Sequence, residues 1–155
     1  MKATQTILAG LVAASSAMAA PARAIQSGDV VRTKAAFQAQ FSPAPVPKWT
    51  VEEVQRACAP DDGSCTWHLL IDTHVAGKTD VNFVVDGPGA SRNNGGPQDF
   101  GDFTITSGYD PAGFTTFSAV DNKDGLIAFP AYSDAEVANG NVAAARDYDV
   151  YYLSS

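Results

Sequence analysis

This sequence is short of the parts that chemistry uses. It has two histidines, two cysteines, and ten basic side chains against 17 acidic ones in 155 residues. No Gly-x-Ser-x-Gly stretch occurs, so a nucleophile elbow is not encoded. The glycine-rich stretch 87–101 lacks Gly-Lys-Ser/Thr and leads into no helical pattern, which removes a phosphate cradle. No Asn-x-Ser/Thr is present, so N-glycosylation is excluded. Positive charge is the clearest shortage. Residues 48–155 carry six basic and 16 acidic side chains, a net charge of −10. Such a field repels phosphate backbones and anionic lipid heads, so nucleic acid and membrane surfaces are not expected partners.

What is present begins with a leader. Met1-Lys2 gives a positive start, Ile7–Met18 is uncharged and rich in apolar and small residues, and Ala17-Met18-Ala19 fits a signal-peptidase site before Ala20. The run is far short of the ~20 residues a membrane span needs. Residues 1–19 are therefore expected to be a signal peptide, which makes the mature chain secreted and extracellular. An oxidising medium permits a disulfide between Cys58 and Cys65. The remaining 136 residues suit one domain, and a monomer is expected.

Residues 20–47 read as a flexible, Pro-rich arm or propeptide. They end in Ser42-Pro43-Ala44-Pro45-Val46-Pro47, where alternate prolines favour an extended chain. From residue 48 to 155 the pattern is that of a single β domain. Short runs of Val, Ile, Thr, Phe and Tyr alternate with Gly, Pro, Asn and Asp. Strands are predicted near 49–57, 65–75, 80–86, 101–107, 114–120, 125–131 and 147–153. Alternation places Trp67, Leu69, Ile71 and Val75 on one face, and His68, Asp72 and His74 on the other. One helical turn is predicted at 134–139, capped by Asp134 and ended by Asn139-Gly140. The expectation is an all-β chain, an antiparallel sandwich or barrel of about seven strands with at most one short helix.

Pro60-Asp61-Asp62-Gly63 is turn chemistry, and a tight reversal there brings Cys58 and Cys65 within reach of a sulfur bridge. The alternative, a two-thiolate metal site, needs further ligands. His68 and His74 lie ~20 Å apart along a strand and cannot share an ion, whereas Asp72 and His74 can orient one another. A solvated face explains these three better. Asp99 with Asp102, and Asp147 with Asp149, are pairs that a glycosidase could use, though sixteen acids produce pairs by chance. Asp121-Asn122-Lys123-Asp124-Gly125 has Lys123 at a ligand position and no closing glutamate, so a hairpin turn is expected rather than a calcium loop. No catalytic residue, metal or cofactor is assigned. The longest connection, 87–99, offers Arg92, Asn93, Asn94 and Asp99 as a candidate contact loop.

Several phrases, in order, resemble a family of small secreted proteins of filamentous fungi that includes elicitors of the plant hypersensitive response. They are Trp49-Thr50-Val51, Arg56-x-Cys58, Ser64-Cys65-Thr66-Trp67, Ile71-Asp72-Thr73, Phe83-Val84-Val85-Asp86-Gly87, Phe103–Tyr109, Gly113-Phe114-Thr115-Thr116 and Leu126–Asp134. The family pattern has a second cysteine pair at places that read near Val81 and at Phe100 here. The resemblance implies secretion, a β-rich fold and a role at the surface between fungus and host, and it supplies no catalytic residue. The resulting expectation is a non-enzymatic effector that binds a host protein or cell-wall glycan. The alternative is a carboxylate-based hydrolase acting on wall polysaccharide.

Overall fold

The computed structural model describes residues 41–153. The expected signal peptide and residues 20–40 of the arm lie outside the described residues. The strands are Trp49–Cys58 (β1), Ser64–Asp72 (β2), Lys78–Asp86 (β3), Gly95–Phe100 (β4), Phe103–Asp110 (β5), Phe114–Asp121 (β6), Leu126–Ala128 (β7), Ala131–Ser133 (β8), Val142–Ala143 (β9), Arg146–Tyr148 (β10) and Tyr151–Tyr152 (β11). They form two antiparallel sheets. One has the order β10-β1-β2-β3, with β9 also on β1; the other has β11-β7-β6-β5-β4, with β8 also on β6. The arrangement is a sandwich, not a closed barrel.

Strict alternation makes the core. In β2, Cys65, Trp67, Leu69 and Ile71 are buried and the residues between them are not, and Val81, Phe83 and Val85 repeat this in β3. Aromatic rings from both sheets meet edge to face: Trp49 on Phe103 at 5.3 Å, Trp67 on Phe117 at 5.1 Å and Phe83 on Phe117 at 5.8 Å. This geometry sets positive ring edges against negative faces. Val81 is part of the core and Phe100 packs against it, so both family cysteine places are filled by apolar side chains.

In β1 the alternation is interrupted. Glu53 adopts a left-handed φ of 55° at a register shift between Glu52 and Gln55. The extra residue is a β-bulge, and it reverses the parity of the rest of the strand. Trp49 and Val51 point inward before it; Val54 and Arg56 do so after it. At the lateral margin, Gln98 of β4 joins the two sheets. Its carboxamide donates to the Val84 carbonyl at 2.7 Å and accepts from the Val84 N–H at 3.0 Å. One side chain thereby satisfies edge groups that would otherwise invite another strand.

The expected seven strands become eleven among the described residues: β4 and β9 are additional, and two expected strands are divided. A single strand at 125–131 is instead β7 and β8. Both keep one register along β6, and the ladder breaks only near Pro130, which has no N–H to give. A single strand at 147–153 is instead β10 and β11, because the chain passes from one sheet to the other at Asp149-Val150. The strand expected at 65–75 ends at Asp72. Residues 73–77 form the hairpin connection, and Val75 is 77% exposed rather than on the buried face. The strand placed at 101–107 begins at Phe103 and runs to Asp110.

The helical turn expected at 134–139 is not formed. A turn leads into a 3-10 turn at Ala138–Gly140, with Asn139 at φ 55°. Asp134 caps no helix because its carboxylate is taken by Arg56 and by the Tyr109 hydroxyl. The last described part of the arm packs on the domain. Ala44 donates to the Val150 carbonyl and Tyr152 donates to that of Ser42, so Pro43 sits between two hydrogen bonds where its missing N–H costs nothing.

Candidate functional site

The two ends of the sandwich differ. At the end where β1 begins lies a cleft of about 490 Å³. Three connections surround it: the β2–β3 hairpin with Thr73, Val75, Ala76 and Gly77, the β4–β5 turn with Asp102, and the β6–β7 turn with Asp121, Lys123 and Asp124. Trp49, Phe103 and Leu126 form the floor and are nearly covered. Val75, Val46 and Tyr152 stand at the mouth and are exposed. Isolated exposed apolar residues need no explanation, but three around one opening make a patch.

The cleft wall is tied down from outside. His74, in a left-handed conformation at φ 62°, places Nε2 2.7 Å from the Thr50 hydroxyl, which donates to Asp147 at 2.7 Å. Asp72 accepts the His74 N–H at 2.7 Å. These contacts fasten the 73–77 hairpin to β1 and β10. The rim on the other side is built by Asp121, whose carboxylate accepts the N–H groups of Lys123 and Asp124. This is the hairpin turn expected at 121–125, with Gly125 at φ 64°.

The opposite end has a cavity of similar size, about 500 Å³, bordered by Arg56, Cys58, Asp62, Ser91 and Val137, and its charged groups are already paired with neighbours. Arg56, turned inward by the bulge, lies 5.2 Å over the Trp67 ring, donates to the Ser91 carbonyl at 3.1 Å and pairs with Asp134 at 2.7 Å. Tyr109 donates to the same carboxylate, and that hydrogen bond raises its pKa. Cys58 and Cys65 are directly paired across β1 and β2 and form the disulfide, so the two-thiolate metal site does not arise. Asp62, in the turn they enclose, accepts from both the hydroxyl and the N–H of Ser91. These bonds hold its carboxyl below the usual range.

The candidate contact loop lies at this charged end and along the β4 margin. It is not a bare connection of residues 87–99, because Ala90–Arg92 forms a 3-10 turn and β4 starts at Gly95. Gly95 donates to the Ser107 hydroxyl, and that hydroxyl supplies the partner no pattern announces. Asn94 accepts from the Tyr109 N–H, Asn93 donates to the Pro88 carbonyl, and Asp99 accepts from the Thr104 hydroxyl. Arg92 remains exposed.

The other expected pairs are separated. His68 faces Asp80 at 3.5 Å on the outer surface, away from His74. Asp147 takes the Thr50 hydroxyl whereas Asp149 pairs with Lys48 at 3.0 Å. Asp99 belongs to β4 and Asp102 to the cleft rim. Sequence reasoning did not single out Trp49, Val75, Leu126 and Tyr152 as one site. The available signal was Val75 itself, an apolar residue at a hairpin tip where polar turn residues are the rule.

Comparison with known proteins adds the family. Residues 50–152 match the model of the family Effector TSP1. A curated relative, Effector TSP1 of Hypocrea virens (strain Gv29-8 / FGSC 10586), is 38% identical over 150 residues, covering 93% of this chain and 92% of its own. The match spans nearly every described strand and comes with a relative aligned over almost its full length, so the chain belongs to the Effector TSP1 family.

Proposed function

We propose that this chain is a secreted, non-enzymatic effector that works by binding a host or cell-wall component through the cleft at the Trp49 end. The cleft itself carries the reading: a cavity of about 490 Å³ with a closed apolar floor and exposed Val75 and Tyr152 at its mouth. Its size lies in the range of ligand pockets, and a rigid sheet scaffold holding variable connections is the common arrangement for recognition. Membership of an effector family and the disulfide support export and a role outside the cell. Of the four acids weighed for a glycosidase, Asp99 is engaged with Thr104, Asp147 with Thr50 and Asp149 with Lys48, and Asp102 stands at the cleft without its expected partner Asp99.

The test is infiltration of purified mature protein into leaf tissue beside a Val75→Asp/Tyr152→Ser variant. Both positions are exposed, so the variant should fold as wild type does by circular dichroism. A response to wild type that the variant loses supports recognition through the cleft. No response to wild type at any dose refutes the elicitor reading, and release of reducing sugar from wall polymers would favour the hydrolase.

A further inference from the structure

We propose that the cleft takes a basic, amphipathic peptide segment of a partner protein, seating an apolar side chain over Trp49 and Phe103 while a flanking lysine or arginine pairs with Asp102 and Asp124. This rests on the reading of the cleft as the binding site and adds the chemistry of its occupant.

Charge at the mouth is the first argument. The lining includes Asp102, Asp121 and Asp124 against the single cation Lys123. Asp121 is buried and committed to its turn. Asp102 and Asp124 are exposed, and their carboxylates make no hydrogen bond or ion pair among the described residues. Other carboxylates have a cation beside them, Glu52 with Lys78, Asp134 with Arg56, Glu136 with Arg146 and Asp149 with Lys48, whereas Glu53 and Asp86 have none among the described residues but do not line the cleft. Asp102 and Asp124 therefore stand with free charge at the mouth of the apolar cleft. The net charge of −10 over residues 48–155 draws cations toward it from a distance.

The second argument is shape and polarity. An opening of about 490 Å³ is too small for a folded surface and fits one or two side chains. A neutral sugar donates hydroxyl hydrogen bonds to carboxylates but leaves their charge unneutralised. It would also find few ring faces to stack on, because Trp49 is 2% and Phe103 4% exposed. An anionic ligand would be repelled. An apolar side chain next to a cation satisfies the floor and the rim together, with complementary charge fixing the register of the segment.

The experiment uses the full mature chain, isotope-labelled, titrated with the peptide Lys-Lys-Leu-Phe-Lys-Lys and followed at the Trp49 indole N–H and the Val75 methyls. Controls are Glu-Glu-Leu-Phe-Glu-Glu, Lys-Lys-Gly-Gly-Lys-Lys and chitohexaose. The basic Leu-Phe peptide should shift both signals, with the acidic and glycine peptides at least about tenfold weaker. Each lost ion pair of this kind changes affinity severalfold at low salt, and screening shortens its reach to about 8 Å at 0.15 M. Asp102→Asn/Asp124→Asn should therefore weaken binding in dilute buffer and matter little at 0.5 M salt. Val75→Ser should weaken it at every salt concentration.

Equal binding of the acidic peptide, or indifference to the asparagine variant, overturns the inference. Chitohexaose shifting Trp49 where the basic peptide does not would overturn the partner chemistry and leave the cleft as the site. Signals that move with protein concentration alone would assign the cleft to a second copy and overturn the proposal. No shift from any probe would remove the binding site along with it.

Discussion

Gly95 and Gly96 are adjacent in β4, and an alanine at each should have opposite effects. A Cβ built on Gly95 would lie 2.3 Å from Phe83 Cζ, 2.4 Å from Phe83 Cε1 and 2.8 Å from Ser107 Oγ. Phe83 is fully buried and rests on Phe117, so its ring has nowhere to withdraw. Two ring atoms inside contact distance place Gly95→Ala near the upper end of the overpacking range, about 3 kcal/mol. On Gly96 the same Cβ meets nothing within 4 Å. There the main effect is reduced freedom of the unfolded chain, so Gly96→Ala should be neutral or stabilising by about 0.4–1 kcal/mol. Urea unfolding followed by tryptophan emission reads both, with the slope unchanged. Phe83→Leu shortens the obstructing ring, so the double variant should lose about 1 kcal/mol less than the sum of the single changes. Gly95→Ala and Gly96→Ala unfolding at the same midpoint would refute the argument.

The disulfide and the turn it encloses give two further predictions. Cys58→Ser/Cys65→Ser opens a short loop, for which the chain-entropy estimate is about 2.5 kcal/mol; reduction of the wild type by dithiothreitol should lower the unfolding free energy read from urea curves by a similar amount, and a midpoint insensitive to reductant would count against it. Asp62 is held below its ordinary pKa of 3.8, first by the Ser91 hydroxyl and then by the Ser91 N–H. A lowered folded-state pKa stabilises the fold above the unfolded value, and that stabilisation disappears as pH falls through the folded value. Ser91→Ala should therefore be less stable than wild type at pH 7, and the gap should shrink steadily as pH is lowered below 3.8. A gap that stays constant with pH would refute the linkage.

Period-two patterning was readable wherever a strand buries one face, as in β2, β3, β5 and β6. Cys58 and Cys65 were readable because the turn between them has unmistakable chemistry. Residues that act through long-range contacts were not. Gly95-Gly96-Pro97 looks like a loop, since the partner that makes it a strand is Ser107 in β5 and its neighbours. Asp134 has the look of a helix cap until Arg56 arrives from 78 residues away. The cleft was hidden for the same reason. Val46, Val75, Leu126 and Tyr152 come from four separate parts of the chain, and no local pattern joins them.

The single residue inserted at Glu53 gives the molecule a direction. Had β1 kept all its residues in one unbroken frame, Arg56 would face solvent and Trp67 would lose the cation over its ring. Shifting the frame by one sends a guanidinium into one end of the sandwich, where the Ser91 carbonyl and Asp134 hold it. Val51 and Arg56 are an odd number of residues apart, and the bulge is what lets both face inward. Deleting Glu53 makes the spacing even, so plain alternation would keep Val54 and Arg56 inward and the charged end would survive without its bulge.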